Sequence, residues 1–516
     1  MPSKTPRLSV PSQGRVYVTI MGVIVGMLVA GLGVPMAFGR LTTPGTQQSG
    51  LSPDAGGTLA PTDLPSAVPS SPSSTRSGGL PTVGPGAGAG GSTGGSSGST
   101  GTTGLGTSGT STGAGGSTSG GATGLKATDQ GVTATTVKLG VVLLDIEALK
   151  PLGFAVPHYS PQEQQQQYQA FIDDVNSHGG LLGRKILPVY RTFNALDTNG
   201  SQSAGAVCSQ LAEDEKVFAG VGILGSGINT CLSLQHGIPS ITDGAEVAEN
   251  YVKSHHLIVS PMATYERGAA NWGDMVFRAG LLNGHKSGTV TTGSPAEGRP
   301  EAALVQALKA DGHTVTYRAV FSNDQSTAES ELPIEVGKMK AAGVDTVFLC
   351  INFVGALQWV QAAEKQNYTP HYIVSDVGAL TGEGLVHNMG QSFDGAIAYT
   401  GHTAILPEGP EDGACRTTFN RLAHQSYPAG NESVGLRAFC GMIKEFAAGA
   451  RAAGPDLTRM GFARAVQTLG SFGLPNVVQG TFGPNKTDFD DWQRPMRWAY
   501  SCRCYHNAGP PQRNRY

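Results

Sequence analysis

The residues best suited to chemistry lie near the end of the chain, where Cys502, Cys504 and His506 form a C-x-C-x-H cluster. Two thiolates and an imidazole are ligands that Zn²⁺ accepts, but a structural zinc site needs a fourth ligand. Because no second pair of ligands follows at a recognised spacing, the favoured interpretation is a disulfide, with a metal site as the alternative. We predict no metal and no cofactor.

A second candidate is a glycine-rich segment. Gly220, Gly222 and Gly225 fit the pattern G-x-G-x-x-G, and Asp243 follows about 20 residues later, which together mimic a dinucleotide-binding fingerprint. The first two glycines, however, fall inside a predicted strand, and an exported chain has little access to NAD. We interpret the segment as a glycine-lined strand end, where ligands bind in open α/β sheets.

Motifs of hydrolytic enzymes are missing from the sequence after residue 130. It has no H-E-x-x-H, no nucleophile elbow between a strand and a helix, and no ordered Ser/His/Asp set. The net charge is −3 and the Lys and Arg residues are scattered, so there is no basic stripe for nucleic acid. We therefore predict a protein that is not an enzyme and does not bind nucleic acid.

The elements that must position these residues alternate between short apolar strands and amphipathic helices. The segment Gln162–Asn176, for example, has one apolar stripe at helical spacing, and the glycines after His178 suit the end of a helix. This alternation predicts an α/β fold with mostly parallel sheets and helices on both faces. The predicted strands are Val137–Leu144, Arg184–Tyr190, Val217–Ile223, His285–Thr291, Thr346–Leu349 and His371–Val374.

The foldable part of the chain, residues 128–510, is too long for one sheet of this kind. A single core stops growing at about 250–300 residues, so we expect two lobes, each with a doubly wound sheet. Lobe 1 is predicted to comprise about 130–262 and 376–455, and lobe 2 about 263–375 and 456–505.

An uncharged apolar stretch, Val16–Phe38, precedes the foldable part and is long enough to span a hydrocarbon core of about 30 Å. Lys4, Arg7 and Arg15 favour a cytoplasmic N-terminus at 1–15, so residues 16–39 are predicted to be a single-pass anchor with the rest of the chain outside the cell. The alternative is a signal peptide cleaved after Ala37-Phe38-Gly39, which would give a secreted protein.

A Gly/Ser/Thr/Pro tract at residues 40–127 connects this stretch to the foldable part. From Ser77 to Leu125 it has no charged and no aromatic residue, so it cannot bury enough apolar surface to fold. We predict a disordered linker with an end-to-end distance of roughly 50 Å.

Several segments resemble one known family. The helix-to-strand signature of type I periplasmic binding proteins of the leucine/isoleucine/valine kind resembles Phe171–Asn176 followed by His178–Lys185. Glu335–Leu349 resembles that family's segment of a helix, a Gly turn and a strand, and Ala356–Pro370 resembles the helix that follows it. Gly131–Thr133, before the first strand, also fits the family. The resemblance covers residues from about 130 to 505. It implies a Venus-flytrap with three crossing segments that closes on a small molecule and delivers it to the membrane permease of an ABC importer, or serves in sensing.

The resemblance also implies where the ligand lies. In that family a Ser hydroxyl and backbone amides hold the ligand's carboxylate, while an acidic residue and aromatic rings meet its ammonium group. The corresponding positions in this sequence are Tyr159, Ser226, Gly244, Ala245, Glu297, Asn352 or Phe353, and Asp376.

Two positions depart from the family's amino-acid pattern. Glu246 stands where Thr is usual, and Glu297 stands where Tyr is usual. Carboxylates would repel a ligand carboxylate, so we hypothesise a cationic ligand or a neutral amide or polyol. The alternatives are that both are solvent-facing loop charges, and that Ser226 and Asp376 are only helix caps.

Seven cysteines in an exported chain indicate disulfides with one left over. Cys208 and Cys231 fall in helices that neighbour each other in a doubly wound sheet, so we predict that they are bonded. Cys415 and Cys440 both fall in the C-terminal helical region and form a second plausible pair. The pairing of Cys350, Cys502 and Cys504 stays open.

Three functions fit these observations to different degrees. The first is a solute-binding receptor outside the cell that serves an ABC-type importer. The second is a ligand-sensing or surface scaffold module without transport, and the third, less favoured, is an exported enzyme.

Overall fold

The computed structural model describes residues 124–146, 150, 157–194, 200–222, 226–322, 325–402, 408–430 and 433–516. The predicted anchor at 16–39 and the linker up to residue 123 lie outside the described residues. None of the helices in the described part has both the length and the apolar character that a membrane crossing needs.

The first sheet has five strands in the order β2-β1-β3-β4-β5, and every pairing is parallel. Apolar side chains of β1 alternate between its faces, with Val141 in one core cluster and Val142 in another. The strands are β1 (Thr136–Asp145), β2 (Lys185–Asn194), β3 (Ala219–Gly222), β4 (Ser240–Thr242) and β5 (Ile258–Val259). This order and the two cores match the doubly wound sheet that the sequence predicts.

The second sheet follows the order β12-β11-β10-β9-β8-β6-β7, with β13 paired to β11. The pairings among β6 to β10 are all parallel, whereas β11 runs antiparallel to both β10 and β12. The strands are β6 (Ser287–Thr292), β7 (Tyr317–Phe321), β8 (Thr346–Leu349), β9 (His371–Ser375), β10 (Ile397–Thr400), β11 (Trp492–Ala499), β12 (Cys504–Asn507) and β13 (Gln512–Arg513).

Helices cover both faces of both sheets. The first of them begins with a capping box between Ser160 and Glu163 and buries Tyr168, Phe171 and Ile172. The helices are α1 (Pro161–Ser177), α2 (Gly200–Ser209), α3 (Ser226–Thr230), α4 (Ala248–Lys253), α5 (Tyr265–Arg278), α6 (Pro295–Ala310), α7 (Gln325–Ala341), α8 (Phe353–Lys365), α9 (Glu383–Val386), α10 (Pro410–Ala423), α11 (Val434–Ala452) and α12 (Arg459–Val466). Short π turns continue α2 and α3 as far as Asp214 and Gln235.

The lobe boundaries differ from the predicted ones. β10 adds to the second sheet beside β9, so residues 376–402 belong to lobe 2 and not to lobe 1. Conversely, the apolar side chains between Leu457 and Phe489 belong to the core of lobe 1, where Phe462 packs 6.2 Å from Phe218. Sequence periodicity predicts that these elements exist but not which core they complete.

Three crossing segments, which we call the hinge, connect the lobes: residues 260–264, 401–408 and 487–491. Residues 403–407 of the second segment lie outside the described part. Ser260 bridges to Asp488, Gly480 bridges to Asp490, and the Val478 amide donates to the Gly401 carbonyl at 2.7 Å. The backbone of the crossings is therefore held together by hydrogen bonds.

Disulfides join Cys208 to Cys231 and Cys415 to Cys440, the two pairs that the sequence predicts. The third bond joins Cys502 to Cys504. Cys350 is the free cysteine, buried in the core of lobe 2, and burial raises the pKa of its thiol well above the usual range. A buried thiol of this kind is inert.

Candidate ligand-binding site

The loop after β4 is held by hydrogen bonds to the strand and to the hinge. The Thr242 hydroxyl accepts a hydrogen bond from the Gly244 amide at 3.1 Å, and the Gly244 carbonyl accepts one from the Ser260 hydroxyl at 2.9 Å. These bonds fix the loop between the strand and the hinge. Gly244 and Ala245 are only half-buried.

Glu246 lies in the same loop and is only 2% exposed. Oε1 accepts from the Val247 amide at 2.9 Å, whereas Oε2 has no hydrogen-bond partner among the described residues. Burial raises the pKa of Glu246, although the Val247 amide and the Asn250 side chain oppose the shift. The alternative of a solvent-facing loop charge is therefore wrong for Glu246.

Asp243 lies at the end of β4, directly before Gly244 and Ala245. Although part of its surface is exposed, the surrounding protein desolvates the carboxylate and raises the pKa of Asp243 to about 6, against a modest opposing effect of His402. Glu445 of α11 is close enough to be affected by Asp243 and is itself 1% exposed. Neither oxygen of Glu445 has a hydrogen-bond partner among the described residues, so burial raises its pKa well above the usual range.

Tyr159 lies close to Asp243 and packs against α11. Its ring lies 5.6 Å from the ring of Phe439, and a Cβ at Gly435 would approach it to 2.8 Å, so the backbone of α11 comes unusually close. Burial, and then the Asp243 carboxylate, raise the pKa of Tyr159 well above its usual range. The effect of Asp243 on this pKa shows that Tyr159 lies near the end of β4. The side chain of Ser226 lies outside the described part of the chain.

The predicted residues of lobe 2 form a network of their own. Glu297 Oε1 accepts from both the backbone and the side-chain amide of Asn352 at 3.0 and 2.8 Å, and Oε2 accepts from the Thr292 hydroxyl at 2.5 Å. Asn352 in turn caps α8. Glu297 is 7% exposed, so it too is no solvent-facing charge, and its oxygens hold two strand-end loops together.

Two further predicted positions have structural contacts. Phe353 is half-buried and packs against the cores of both lobes. Asp376 accepts hydrogen bonds from the hydroxyls of Thr381 and Thr400 at 2.5 and 2.6 Å and from the Gly401 amide at 2.8 Å. Its side chain makes no cap hydrogen bond to the short turn that follows, so Asp376 ties β9 to the hinge instead.

Tyr265 was not predicted from the sequence. It opens α5, and its amide donates to the Glu246 carbonyl at 3.0 Å. Burial, and then the carboxylates of Glu246 and Glu297, raise the pKa of its phenol, which places Tyr265 within electrostatic reach of acidic residues from both lobes. An aromatic residue directly after the helix-capping Thr264 was the only signal in the sequence.

An ion pair also connects the lobes. Arg299 of α6 donates to Glu249 of α4, and its other nitrogen lies 3.8 Å from Glu266. The Glu266 carboxylate accepts from the Ala248 amide at 2.8 Å. The pair is exposed, so it helps to set the relative position of the lobes without contributing much to stability.

A cavity of about 590 Å³ lies apart from these residues, between the hinge, the start of α10 and β11. None of the predicted ligand-binding residues lines it. Its walls include Leu474, Val478, Phe489, Trp492 and Arg494. The lining comes from both lobes.

Two groups of described residues have the composition of a metal site: Cys208, Cys231 and His236, and Cys502, Cys504 and His506. In both groups the cysteines form a disulfide, so neither offers the thiolates that zinc needs. His506 Nε2 lies 3.5 Å from Cys502 Sγ and 3.6 Å from Cys504 Sγ. The favoured interpretation of the C-x-C-x-H cluster as a disulfide is confirmed.

We expect Asp243→Asn to stabilise the unliganded protein by about 3 kcal/mol at pH 7.5. The pKa of Asp243 rises from 3.8 to about 6 on folding, so its favourable contribution is complete below pH 3.8 and is lost as the pH rises through 6. Asparagine removes that loss. Thermal unfolding of both proteins between pH 4 and 8 should show a difference near zero at pH 4 that grows to its maximum above pH 6.5.

The exposed Asp214 supplies a matched control for this measurement. Asp214→Asn should leave the unfolding midpoint unchanged across the same range. A difference for Asp243→Asn that is constant with pH, or largest at pH 4, would contradict the assigned pKa shift.

Comparison with known proteins supports the same fold. A substrate-binding protein of a fatty acid ABC transporter from Thermomonospora curvata is 16% identical, with 76% of this chain and 96% of that chain covered and a TM-score of 0.56. An R. palustris solute-binding protein in complex with 4-hydroxybenzoate is 15% identical, with 74% of this chain and 98% of that chain covered and a TM-score of 0.58. A Desulfitobacterium hafniense substrate-binding protein in complex with Leu is 13% identical, with 72% of this chain and 99% of that chain covered and a TM-score of 0.53.

No functionally curated protein matches the sequence. The family model described as periplasmic binding protein, in contrast, matches residues 158–504. This match includes β2 to β11 and all three hinge segments, and it ends at the first residue of β12. Because it spans well over half of the chain, the protein belongs to the periplasmic binding protein family, whose members bind solutes outside the cytoplasm.

Proposed function

We propose that the protein captures a small solute between its two lobes and presents it to the membrane permease of an ABC importer. Membership of the periplasmic binding protein family supports this function. So does the convergence of strand-end loops from both sheets, with Tyr265 between the acidic residues of lobe 1 and lobe 2. Ligands of open α/β sheets bind at such strand ends.

The ligand that we propose is a small cation, such as a di- or polyamine, with a neutral amide or polyol as the second choice. One observation carries this proposal: Asp243 and Glu246 form an acidic wall at the end of β4, and no Lys or Arg is bonded to either in the described residues. Oε2 of Glu246 is an acceptor that still lacks a donor. A protonated amine would supply the donor and the opposite charge.

Carboxylate ligands fit this wall less well. The proteins with similar structures include one in complex with 4-hydroxybenzoate and one in complex with Leu. In this chain a ligand carboxylate would face Asp243 and Glu246 across a partly desolvated cleft, where like charges repel strongly.

A thermal-shift screen at pH 7.5 tests the proposal. The compounds are putrescine and spermidine as cations, propanamide and glycerol as neutral ligands, and leucine and benzoate as carboxylates. We expect a cation to raise the unfolding midpoint and titration calorimetry to confirm one site. Tight binding of leucine or benzoate would refute the proposed ligand class but not solute capture, whereas silence of all compounds would favour a scaffold.

For the cation that binds, we expect Asp243→Asn and Glu246→Gln each to weaken binding at least tenfold, since each removes one charge-assisted contact. The matched control is Glu329→Gln on the exposed surface of α7, which should leave the dissociation constant unchanged. Equal affinities of all three variants would show that the acidic wall does not contact the ligand.

We further propose that the stretch Val16–Phe38 anchors the protein in the cell membrane and that residues 40–127 act as a tether. The apolar length and the basic flank support this placement. Fractionation of cells that express the full chain, with mass spectrometry of the N-terminus, tests it. A soluble protein that begins after Gly39 would identify the stretch as a cleaved signal peptide.

A further inference from the structure

The disulfide between Cys502 and Cys504 differs from the other two in its surroundings. Cys502 is exposed and Cys504 is half-buried, at the start of β12 and at the edge of the second sheet. The four cysteines of the other bonds, in contrast, are all between 0% and 7% exposed. Attack by an external thiol requires access to a sulfur, and exposed disulfides are the labile ones.

An imidazole accompanies this exposed bond. His506 Nε2 is 3.5 Å from Cys502 Sγ and 3.6 Å from Cys504 Sγ, so either sulfur could take a proton from it as it leaves. His506 lies on the same strand as Cys504, two residues on, which places both side chains on one side of the strand. His236, near the first disulfide, instead lies beside two buried sulfurs.

Two arginines neighbour the bond, one in the sequence and one in the sheet register. Arg503 lies between the two cysteines and stacks on the ring of Tyr500 at 4.2 Å, and Arg497 is the register partner of His506 on β11. The acidic group nearby, Glu383, already accepts from the Tyr505 amide at 2.7 Å. Neighbouring cations stabilise the thiolate form of cysteine and so make it a better leaving group.

We propose that Cys502, Cys504 and His506 form a thiol–disulfide exchange site that accepts two electrons from small thiols outside the cytoplasm. The small-thiol thiolate attacks the exposed Cys502 Sγ and forms a mixed disulfide, while the bond to Cys504 breaks. The electron pair of that bond leaves with Cys504, whose thiolate takes a proton from protonated His506. A second thiolate attacks the small-thiol sulfur, releases Cys502 and forms the small disulfide. Two thiols are oxidised and one protein disulfide is reduced.

Timed reduction of the full chain tests this site. The protein is exposed to reduced glutathione at pH 7.5, quenched with iodoacetamide at intervals and mapped by peptide mass spectrometry. We expect the 502–504 bond to open at least tenfold faster than the 208–231 and 415–440 bonds. We expect His506→Gln to slow its opening at least tenfold, because the proton donor is lost.

His178→Gln serves as the matched control, because it makes the same substitution at an exposed histidine of lobe 1 and should leave the opening rate of the 502–504 bond unchanged. Thermal unfolding shows whether each variant is folded before its rate is compared. Equal rates for all three disulfides, or an unchanged rate for folded His506→Gln, would overturn the proposal. So would purified protein with both thiols free and one bound zinc ion.

Discussion

Replacing Arg267 by Ala is expected to destabilise the protein by about 3 kcal/mol, through the hinge and not through either lobe. Arg267 of α5 donates to Asp488 at 2.7 Å and to Asp491 at 3.2 Å, and it is mostly buried. Its removal leaves Asp488 without its ion-pair partner and the buried Asp490 without the neighbouring guanidinium, while Asp491 keeps Lys486 at 3.3 Å. The measurement is urea unfolding at pH 7.5.

The pH dependence provides a second check on this prediction. Burial already raises the pKa of Asp490 well above its usual range, and the charge of Arg267 opposes that shift. Without Arg267 the carboxylate repulsion is strongest at high pH, so the loss of stability should shrink as the pH falls and protons are taken up.

The exposed pair of Arg421 with Asp174 offers a matched control, since its two charged atoms lie 3.1 Å apart with more than half of the Arg side chain exposed. Arg421→Ala should cost less than about 1 kcal/mol. If Arg267→Ala cost no more than this control, the hinge would not depend on the buried ion pair.

Replacing Gly222 by Ala is expected to destabilise the protein by more than about 3 kcal/mol and to abolish solute binding. Gly222 ends β3 with a φ of +139°, and a Cβ there would lie 2.3 Å from the backbone oxygen of Val142 on β1. Since both groups are backbone, the two strands would have to separate. The start of α3 at Ser226, four residues further on, would move with them.

Gly205 is the matched control, because it lies in α2 and a Cβ there would meet nothing within 4 Å. Gly205→Ala should be neutral or stabilising, as alanine is the better helix former. Circular dichroism and thermal unfolding of both variants check the comparison. A Gly222→Ala protein with native stability would mean that the strands tolerate the close approach.

The middle glycine of the G-x-G-x-x-G segment therefore has a reason that does not involve a nucleotide. The pattern arises because β3 is flanked closely by β1 and by Leu232, whose side chain would be 2.7 Å from a Cβ at Gly220. The sequence correctly predicted a glycine-lined strand end, but it could not show which neighbouring atoms exclude a side chain.

Local features were predicted well because they depend on a few neighbouring residues. β1 and α1 extend one residue beyond each predicted end, and β8 agrees at both ends. The Cys208–Cys231 bond followed from the order of helices on one sheet. Each of these predictions rests on periodicity or on neighbouring elements, and both are visible in the sequence.

Features that depend on distant contacts were not predictable. Glu246 follows β4 and Glu297 lies in the first turn of α6, where a charge is usually exposed, yet both side chains are buried. Tyr265 joins the site only because α5 starts at the hinge. Residues 376–402 and 457–489 were each predicted in the wrong lobe for the same reason: from the sequence alone, either segment could cover either sheet.

Late segments of the chain complete the core of lobe 1, and this affects how the protein is synthesised and folds. The core of lobe 1 combines Tyr168 and Phe171 with Phe439, Phe462 and Phe489, so this core stays incomplete until nearly the whole chain has been synthesised, although the strands of its sheet all precede residue 260. Contacts at such sequence separation form slowly, which leaves time for export of the chain before it folds. Neither lobe can be produced alone as one continuous fragment, and a chain that stops before α10 would expose the apolar face of α1 to aggregation.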